Sequence, residues 1–269
     1  MFPWRKHTNE ELMHEFEKLK TKISKQIKFP ILFSTIGFKC TNIFFQYERM
    51  NTEGINKPST IQYWEKNKDN VIKFSKRVNR DIFSTLNYFN HSPSQFPIVT
   101  ASLLYKHFNA KKVLDPYSGW GDRCLAAMAV GINYIGIDSN EALKEPYNKL
   151  IEFYYSYGVN SYQFINSKCE NVDLQELDYD FVFTSPPFWR NGKMIEKYRN
   201  VEVPYKVFME NSLIPIFHKI KLEKKAKMIC LYIPTGMYNE LSTIYGPADL
   251  MLEFKTTNTK ISILFCWRL

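Results

Sequence analysis

Strand-like and helix-like segments alternate along the chain from about residue 111 onward. The strand-like segments are short, rich in β-branched and aromatic residues, and closed by polar or turn residues: 111–115, 133–138, 162–166, 179–185 and 226–233. Helix-like segments lie between them, at 122–130, 141–157 and 205–220. Alternating elements with short connections are typical of βαβ units, in which helices cover a mostly parallel sheet. This part of the chain therefore predicts an α/β fold.

The two ends of the chain follow other patterns. The tail is typical of two strands joined by the polar turn TTNTK at 256–260, so the predicted sheet ends in an antiparallel hairpin. Residues 10–28 and 60–88 have helical spacing, and Thr8 with Glu11 forms a capping-box pattern. The aromatic segment 31–47 is compatible with a strand. We expect a basic, mainly helical N-terminal region over 1–90 that packs on an α/β domain over 91–269.

The net charge of +9 is concentrated in the first third of the chain. Residues 1–90 carry 16 Lys and Arg against 9 Asp and Glu, whereas residues 91–269 carry 20 against 18. A basic surface favours a polyanionic partner, because the neutralisation of phosphates releases counterions from nucleic acid. A solvated helical face is the alternative explanation of the same charge.

Composition excludes several other classes of protein. With 45% hydrophobic residues the chain can bury a full core. It has no run of about 18 apolar residues, and charged residues stand where a signal peptide needs its apolar stretch. We therefore expect an intracellular protein of the cytoplasm, nucleus or nucleoid, neither secreted nor bound to a membrane. The five cysteines lack CxxC spacing and the five histidines do not cluster with them, so neither a disulfide framework nor a metal site is predicted.

A glycine loop follows the first strand of the α/β part. The sequence DPYSGWGD (115–122) leads from strand to helix, and Gly119 and Gly121 would let the backbone approach a nucleotide-like ligand without a Cβ in the way. Asp138 ends the next strand, where a carboxylate can accept both hydroxyls of a ribose. Nucleotide binders and ordinary tight turns share such a loop. The sequence GWGDRC lacks the third glycine of GxGxxG, which disfavours a dinucleotide oxidoreductase.

A second motif, TSPPFW (184–189), ends the fourth strand, and Ser185 follows Asp115 by 70 residues. Together DPYSGWG, IGIDS and TSPPF resemble the motifs of S-adenosylmethionine-dependent DNA amino-methyltransferases, which act on adenine N6 or cytosine N4 and have relatives that act on RNA. The resemblance covers roughly residues 93–234. It implies a Rossmann-like methyltransferase sheet with S-adenosylmethionine as cofactor. The residues that it implies for the cofactor site are Phe96, Pro97, Asp115, Pro116, Tyr117, Gly119, Gly121, Asp138 and Ser139.

The resemblance gives the catalytic roles to Ser185, Pro186, Pro187 and Phe188. An exocyclic amino nitrogen has its lone pair delocalised into the base ring, so it is a poor nucleophile until hydrogen-bond acceptors draw its protons. The Ser185 hydroxyl and the Pro186 carbonyl are the expected acceptors, because two consecutive prolines with locked φ hold that carbonyl rigidly. We expect Phe188 to stack on a base that has left the duplex.

Several acceptors of the methyl group are compatible with these motifs. TSPP followed by an aromatic residue occurs in both the cytosine-N4 and the adenine-N6 branches. RNA or a protein glutamine amide poses the same activation problem, and a non-catalytic nucleic-acid-binding partner could retain the fold. From the charge and the resemblance we expect DNA rather than RNA. Carbon-5 cytosine methylation is disfavoured, because it needs a cysteine nucleophile, customarily in a Pro-Cys pair that is absent from the sequence.

Two basic segments are the candidates for holding nucleic acid. The loop after the second motif could bind phosphate or close over the substrate. Its candidate residues are Trp189, Arg190, Lys193, Lys197 and Arg199. In the N-terminal region the candidates are Lys73, Lys76, Arg77 and Arg80. The sequence makes no prediction about the oligomeric state.

Overall fold

The structure is a computed structural model that describes residues 1–24, 29–155, 161–197 and 202–269. Its helices are α1 (Asn9–Ile23), α2 (Phe38–Asn51), α3 (Thr60–Val78), α4 (Ile82–Phe89), α5 (Ile98–His107), α6 (Asp122–Val130), α7 (Lys144–Tyr155), α8 (Tyr205–Phe208), α9 (Ile214–Glu223) and α10 (Thr235–Tyr245). A π-helical segment (Met209–Leu213) joins α8 to α9. The strands are β1 (Glu53–Gly54), β2 (Lys112–Asp115), β3 (Asn133–Asp138), β4 (Tyr162–Asn166), β5 (Phe181–Thr184), β6 (Trp189–Arg190), β7 (Lys193–Met194), β8 (Glu196–Lys197), β9 (Met228–Leu231), β10 (Leu250–Lys255) and β11 (Ile261–Arg268).

Seven strands form one sheet in the order β4-β3-β2-β5-β9-β11-β10. The first five strands in this order are parallel, and β11 runs antiparallel to both β9 and β10. The chain builds outward from β2 to β4, then returns to the other side of β2 with β5. The strand order therefore reverses between β2 and β5, which is the switch point where open α/β sheets bind ligands. The predicted fold class, an α/β fold with a mostly parallel sheet that ends in an antiparallel hairpin, is confirmed.

The sheet separates two layers of helices because successive strand residues face opposite sides. In β5, Phe181 and Phe183 belong to one core with helices α1, α2, α5, α6 and α7, whereas Val182 belongs to a second core with α9 and α10. In β2, Val113 and Leu114 divide in the same way. Both faces of the central strands are therefore buried, which explains their nearly continuous apolar sequence.

Most predicted elements agree with the structure. Strands β3 and β4 and helix α6 have the predicted bounds. The predicted hairpin is formed by β10 and β11, with residues 256–260 as its turn. The capping box at the start of α1 is present in both directions between Thr8 and Glu11. Helix α10 was not predicted.

The strand prediction for residues 31–47 is wrong. Ile31 makes an isolated bridge to Phe254, but the chain then enters α2, whose N-cap is Gly37 at φ +94°. Cys40 and Phe45 of that helix are buried in the core that lies between α1 and the sheet. The aromatic residues of this segment were interpreted as β-propensity, whereas burial against other elements decided their structure.

The N-terminal helices pack on the α/β part, as the sequence predicted. Helices α1 and α2 contact α6, and α1 also contacts α5 while α2 contacts α7. Phe16, Leu19 and Phe45 share one core with residues of the sheet. Strand β1 pairs with β8, so this region also reaches the loop that follows TSPPF. The functional division at residue 90 stays a prediction.

Candidate active site

A cavity of about 380 Å³ lies at the carboxyl ends of β2, β5 and β9. The glycine loop after β2 forms one wall and the segment after β5 forms another, with the switch point between them. We call it the motif cavity. Its lining residues are Ser94, Gln95, Phe96, Pro97, Ser118, Gly119, Trp120, Asp122, Arg123, Ser185, Pro186, Pro187, Phe188, Ile195, Glu196, Tyr232, Thr256, Thr257 and Lys260.

The motif cavity brings together seven of the residues that the sequence singled out. They are Phe96, Pro97, Gly119, Ser185, Pro186, Pro187 and Phe188. The other predicted cofactor residues are not among those that line it: Asp115, Pro116, Tyr117, Gly121, Asp138 and Ser139. The two motifs are thus neighbours in space, although the site roles of individual residues stay predictions.

Asp115 is fully buried beneath the cavity, where its carboxylate accepts hydrogen bonds from three side chains. Arg123 donates through Nε at 2.6 Å, and the Tyr134 hydroxyl donates at 2.6 Å. Thr184 Oγ1 donates to the other carboxylate oxygen at 2.6 Å and accepts from the Tyr117 amide at 3.1 Å. The last residue of β5 is therefore tied to the loop after β2. Asp115 fixes the two motifs relative to each other instead of lining the cavity.

Tyr117 also points away from the cavity. Its hydroxyl lies 2.9 Å from Ser212 Oγ, and its ring packs against Phe208 on the opposite side of the sheet. Burial raises the pKa of this hydroxyl well above its usual value. Tyr117 therefore anchors the glycine loop to the second core.

The two glycines of the loop serve different purposes. Gly119 has φ +56°, and a Cβ added there would meet no protein atom nearer than 4.0 Å, so space beside it is open to a ligand. Gly121 has φ +76°, and a Cβ there would lie 2.5 Å from the Phe45 ring of α2. Gly121 therefore permits close packing of the N-terminal region, whereas Gly119 leaves room in the motif cavity.

Asp138 supports the glycine loop from behind. Its carboxylate accepts from the Gly119 amide at 3.0 Å and from the Asn140 amide at 2.9 Å. Burial raises the pKa of this carboxyl, although both hydrogen bonds oppose that change. A carboxylate can accept more than two hydrogen bonds, so Asp138 retains the capacity to accept others.

The segment after β5 turns sharply and exposes an aromatic ring to the cavity. Phe188 and Tyr232 face each other edge to face, with ring centroids 5.3 Å apart. The Phe188 carbonyl accepts from the Ile195 amide at 2.7 Å, which returns the chain to the cavity. The next residue, Trp189, packs against Phe208 at 4.7 Å and is absent from the cavity lining. Its Nε1 donates to a backbone carbonyl, so the structure does not bring Trp189 onto the aromatic wall beside Phe188.

Asp122 is a cavity residue whose importance the sequence analysis missed. One carboxylate oxygen accepts from Thr41 Oγ1 at 2.6 Å and from Gln95 Nε2 at 3.0 Å, and the other accepts from the Phe96 amide at 3.0 Å. It thereby joins the glycine loop, the Phe96 wall and helix α2. Its position at the start of α6, where acidic residues are common, gave no distinct signal.

We expect the Asp122 carboxyl to make a pH-dependent contribution to the stability of the fold. Burial raises its pKa from 3.8 to about 6, although hydrogen bonds from Thr41, Gln95 and Phe96 and the charge of Arg49 oppose that change. The folded state therefore binds this proton more tightly than the unfolded state. The contribution to the free energy of unfolding is full below about pH 4 and is lost as the pH rises through about 6. We expect the free energy of unfolding of Asp122→Asn, relative to that of the wild type, to increase steadily as the pH rises from about 4 to about 6. Urea denaturation of both proteins at several pH values measures this difference. A difference that stays the same at every pH would contradict the prediction.

Other cavity residues come from segments that sequence reasoning left unassigned. The Ser118 hydroxyl is buried in the wall and has no hydrogen-bond partner among the residues that the structure describes. Thr256, Thr257 and Lys260 belong to the turn between β10 and β11, which was predicted as a turn but not as part of a site. The wall therefore offers a free hydroxyl and a cation in addition to the two motifs.

Comparison with known proteins yields likenesses in structure only. No protein-family model matches the chain, and no curated protein matches it in sequence. One similar crystal structure is Pyrococcus abyssi tRNA (uracil-54, C5)-methyltransferase in complex with S-adenosyl-L-homocysteine, with 15% identity, a TM-score of 0.43, and coverage of 63% of this chain and 37% of that one. Another is TrmN from Thermus thermophilus, with 14% identity, a TM-score of 0.43, and coverage of 65% and 49%. A third is the N-terminal domain of human METTL16 in complex with SAH, with 13% identity, a TM-score of 0.45, and coverage of 65% and 72%.

The overlap with these proteins is partial. The chain spans less than two thirds of the length of the first two. The sequence identities are also low, at 13–15%.

The predicted nucleic-acid-binding residues that the structure describes do not line the motif cavity. Arg190 and Lys193 are exposed cross-strand neighbours in the β6–β7 hairpin, and Lys197 forms an ion pair with Glu202 at 2.6 Å. Arg199 lies outside the described residues. The N-terminal candidates are all exposed near the end of α3: Lys73, Lys76, Arg77 and Arg80.

Two of these arginines stack on aromatic rings. The Arg77 guanidinium lies 4.8 Å from the Phe74 ring centroid, and that of Arg80 lies 5.4 Å from Tyr88. An exposed surface of this kind can hold nucleic acid, although a solvated helix end has the same appearance.

Among the residues that the structure describes, no group of three or more His, Cys, Asp or Glu side chains could hold a metal ion. No helix in that part of the chain has both the length and the apolar character needed to cross a bilayer.

Proposed function

We propose that this protein transfers a methyl group from S-adenosylmethionine to the exocyclic amino nitrogen of a nucleic-acid base. The observation that carries the proposal is that two motifs 70 residues apart in sequence, the glycine loop and Ser185–Phe188, line one cavity at the switch point of the sheet. Each motif alone has an ordinary structural explanation. Their meeting in one cavity favours a shared chemical task.

The residues of the cavity fit the proposed cofactor. Open space beside Gly119 and the unpartnered Ser118 hydroxyl would receive its polar part, and Phe96 with Pro97 offers an apolar wall. The volume of about 380 Å³ lies within the usual range of small-molecule sites. Glu196 adds a carboxylate to the wall, which is suited to a ligand that carries positive charge. When bound, S-adenosylmethionine supplies an electrophilic methyl group.

The protein's task is to make the amino nitrogen nucleophilic and hold it still. The Ser185 hydroxyl and the Pro186 carbonyl accept hydrogen bonds from its two protons, which returns electron density to the nitrogen. Serine is a weaker acceptor than a carboxylate, so the carbonyl carries more of this role. Phe188 stacks on the base and Tyr232 supports its ring from the side. Methyl transfer would break the carbon–sulfur bond of the bound cofactor, whose electron pair would stay on sulfur in S-adenosylhomocysteine, while the amino nitrogen would gain the methyl carbon and lose one proton to solvent.

One experiment identifies both the polymer that accepts the methyl group and the base that is methylated. The purified chain is incubated with labelled S-adenosylmethionine and DNA, RNA or protein, and digested nucleosides are analysed by mass spectrometry. We expect N6-methyladenine or N4-methylcytosine, with DNA as the sequence-based prediction and RNA as its direct rival. Normal cofactor binding without methyl transfer to either nucleic acid would refute the proposal. Label on a glutamine amide would move the acceptor to protein.

The proposed ribose site gives a prediction about cofactor affinity. Asp138→Ala removes the acceptor for the ribose hydroxyls and for the Gly119 amide, so we expect the cofactor Kd to rise by about tenfold or more. Isothermal titration calorimetry measures it. Glu152→Ala, which removes an exposed carboxylate from α7, is the matched control. Equal affinities of the two variants would contradict the ribose assignment.

A further inference from the structure

A second cavity of about 470 Å³ is formed by residues from the first 95 positions. Three basic side chains line it, those of Arg5, Lys39 and Arg49, and we call it the arginine cavity. Gln95 lines this cavity and the motif cavity, so the two share a wall. The two cavities are therefore neighbours in the structure.

Arg49 is the unusual member of this wall, because it is only 7% exposed. Its Nη1 donates to the Pro93 carbonyl at 3.0 Å and its Nη2 donates to Asn42 Oδ1, both of which are neutral acceptors. Among the described residues, Arg49 has no partner for Nε and no carboxylate within ion-pair distance. Burial lowers the pKa of this guanidinium to about 10, although the more distant charges of Asp122 and Glu196 oppose that change. Buried charges in proteins are normally paired, so this guanidinium lacks an anion.

The other groups around the cavity add to its positive character. The Arg5 guanidinium stacks on the Phe83 ring at 4.6 Å, and Lys39 is exposed near the start of α2. Glu15 is the one carboxylate among the lining residues, and its Oε1 accepts from the Gly37 amide at 3.0 Å. His7 Nε2 is buried without a partner among the described residues. Three cations thus face one carboxylate that is already engaged.

We propose that the arginine cavity binds a phosphate group of the substrate nucleic acid, beside the nucleotide whose base enters the motif cavity. A guanidinium presents a planar fork of donors that matches phosphate oxygens, and Arg5 and Lys39 supply the remaining charge. The assignment of this phosphate to nucleic acid rests on the proposed function. The affinity of the cavity for phosphate follows from its own residues. None of the four exposed basic residues near the end of α3 lines it.

The test uses the full chain with two pairs of substitutions. Arg5→Gln with Lys39→Gln removes two exposed cations from the cavity and keeps Arg49, whereas Lys6→Gln with Lys18→Gln removes the same charge from exposed positions outside it. Thermal melting confirms that both double variants fold. Binding of fluorescent single-stranded DNA and RNA is measured over a range of salt. We expect the cavity variant to lose about tenfold or more in affinity, with a salt slope smaller by about 0.7 per lost phosphate contact. We expect only about threefold loss or less in the control variant.

Two further probes identify the source of the phosphate. An oligonucleotide with neutral methylphosphonate linkages should bind the wild type and the cavity variant equally if the cavity holds a backbone phosphate. Inorganic phosphate that binds the wild type and not the cavity variant, while oligonucleotide affinities stay equal, would overturn the nucleic-acid source. Equal losses in both double variants, or no binding by the wild type of either the fluorescent oligonucleotides or inorganic phosphate, would overturn the phosphate site itself.

The outcomes also separate this inference from the proposed activity. Methyl transfer to nucleic acid, together with matched affinities of the two double variants, refutes the phosphate site alone. A selective loss of binding in the cavity variant, without any methyl transfer, supports the phosphate site and refutes the activity.

Discussion

Phe188→Ala is expected to lower kcat/KM for nucleic acid by about 10- to 100-fold, while the Kd for S-adenosylmethionine stays within about twofold. Stacking of a base on an aromatic ring contributes about 1–3 kcal/mol, and this ring borders the motif cavity beside Tyr232. Its loss removes the surface that holds the base without touching the glycine loop. Pro186→Ala should impair turnover comparably, because the acceptor carbonyl loses its fixed orientation. Ser185→Ala should have a smaller effect, since the carbonyl acceptor remains.

Conservative and distant substitutions separate stacking from a general loss of structure. Phe188→Tyr keeps the aromatic face and should retain activity within about threefold, whereas Phe188→Leu keeps the apolar bulk and should behave like alanine. Tyr155→Ala removes an aromatic ring that is 60% exposed and outside the cavity, and it should leave kcat/KM unchanged. Cofactor titration and initial rates measure both effects. Full activity of Phe188→Leu would exclude stacking as the role of this residue.

The sequence predicted the strands and helices whose ends are marked by neighbouring residues. Strand β3 and helix α6 have the predicted bounds, because apolar alternation before Asp138 and the glycines on either side of α6 mark their ends. The order of the two motifs along the chain was also sufficient to predict that they meet, since parallel strands bring their carboxyl ends to one edge. The central sheet and the position of the motif cavity were therefore accessible from sequence.

Features that depend on contacts between residues far apart in the chain could not be predicted from the sequence. The segment 31–47 was interpreted as a strand, yet much of it belongs to helix α2. Phe45 of that helix packs closely against Gly121, which lies 76 positions further along the chain. Trp189 follows Phe188 in sequence but packs against Phe208 and the second core. The turn at 256–260 was recognised as polar, while its approach to the motif cavity depends on β11 pairing with β9. In each case the deciding partner lies far away in sequence.

Asp115→Ala is expected to destabilise the protein by about 3–5 kcal/mol, the usual cost of removing one member of a buried ion pair. The Arg123 guanidinium is nearly as buried as Asp115, and it would lose the carboxylate that balances its charge. Burial opposes the charged form of Arg123, but the charge and hydrogen bonding of Asp115, together with Tyr134 and Tyr105, hold the pKa of the guanidinium above its usual value. Tyr134 and Thr184 would lose their acceptor in the same substitution. Urea denaturation of the purified variant measures the change in the free energy of unfolding.

An exposed ion pair supplies the matched control. Lys112 begins the strand that Asp115 ends, and it pairs with Asp178, whose side chain is 78% exposed. Asp178→Ala should cost about 1 kcal/mol or less, because water already solvates both charges. Asp115→Asn should fall between the two, since it keeps the shape and one acceptor but not the charge. If Asp115→Ala and Asp178→Ala proved equally mild, the buried carboxylate would not be what holds the glycine loop and the Ser185–Phe188 segment together. The motif cavity would then depend on backbone pairing between β2 and β5 alone.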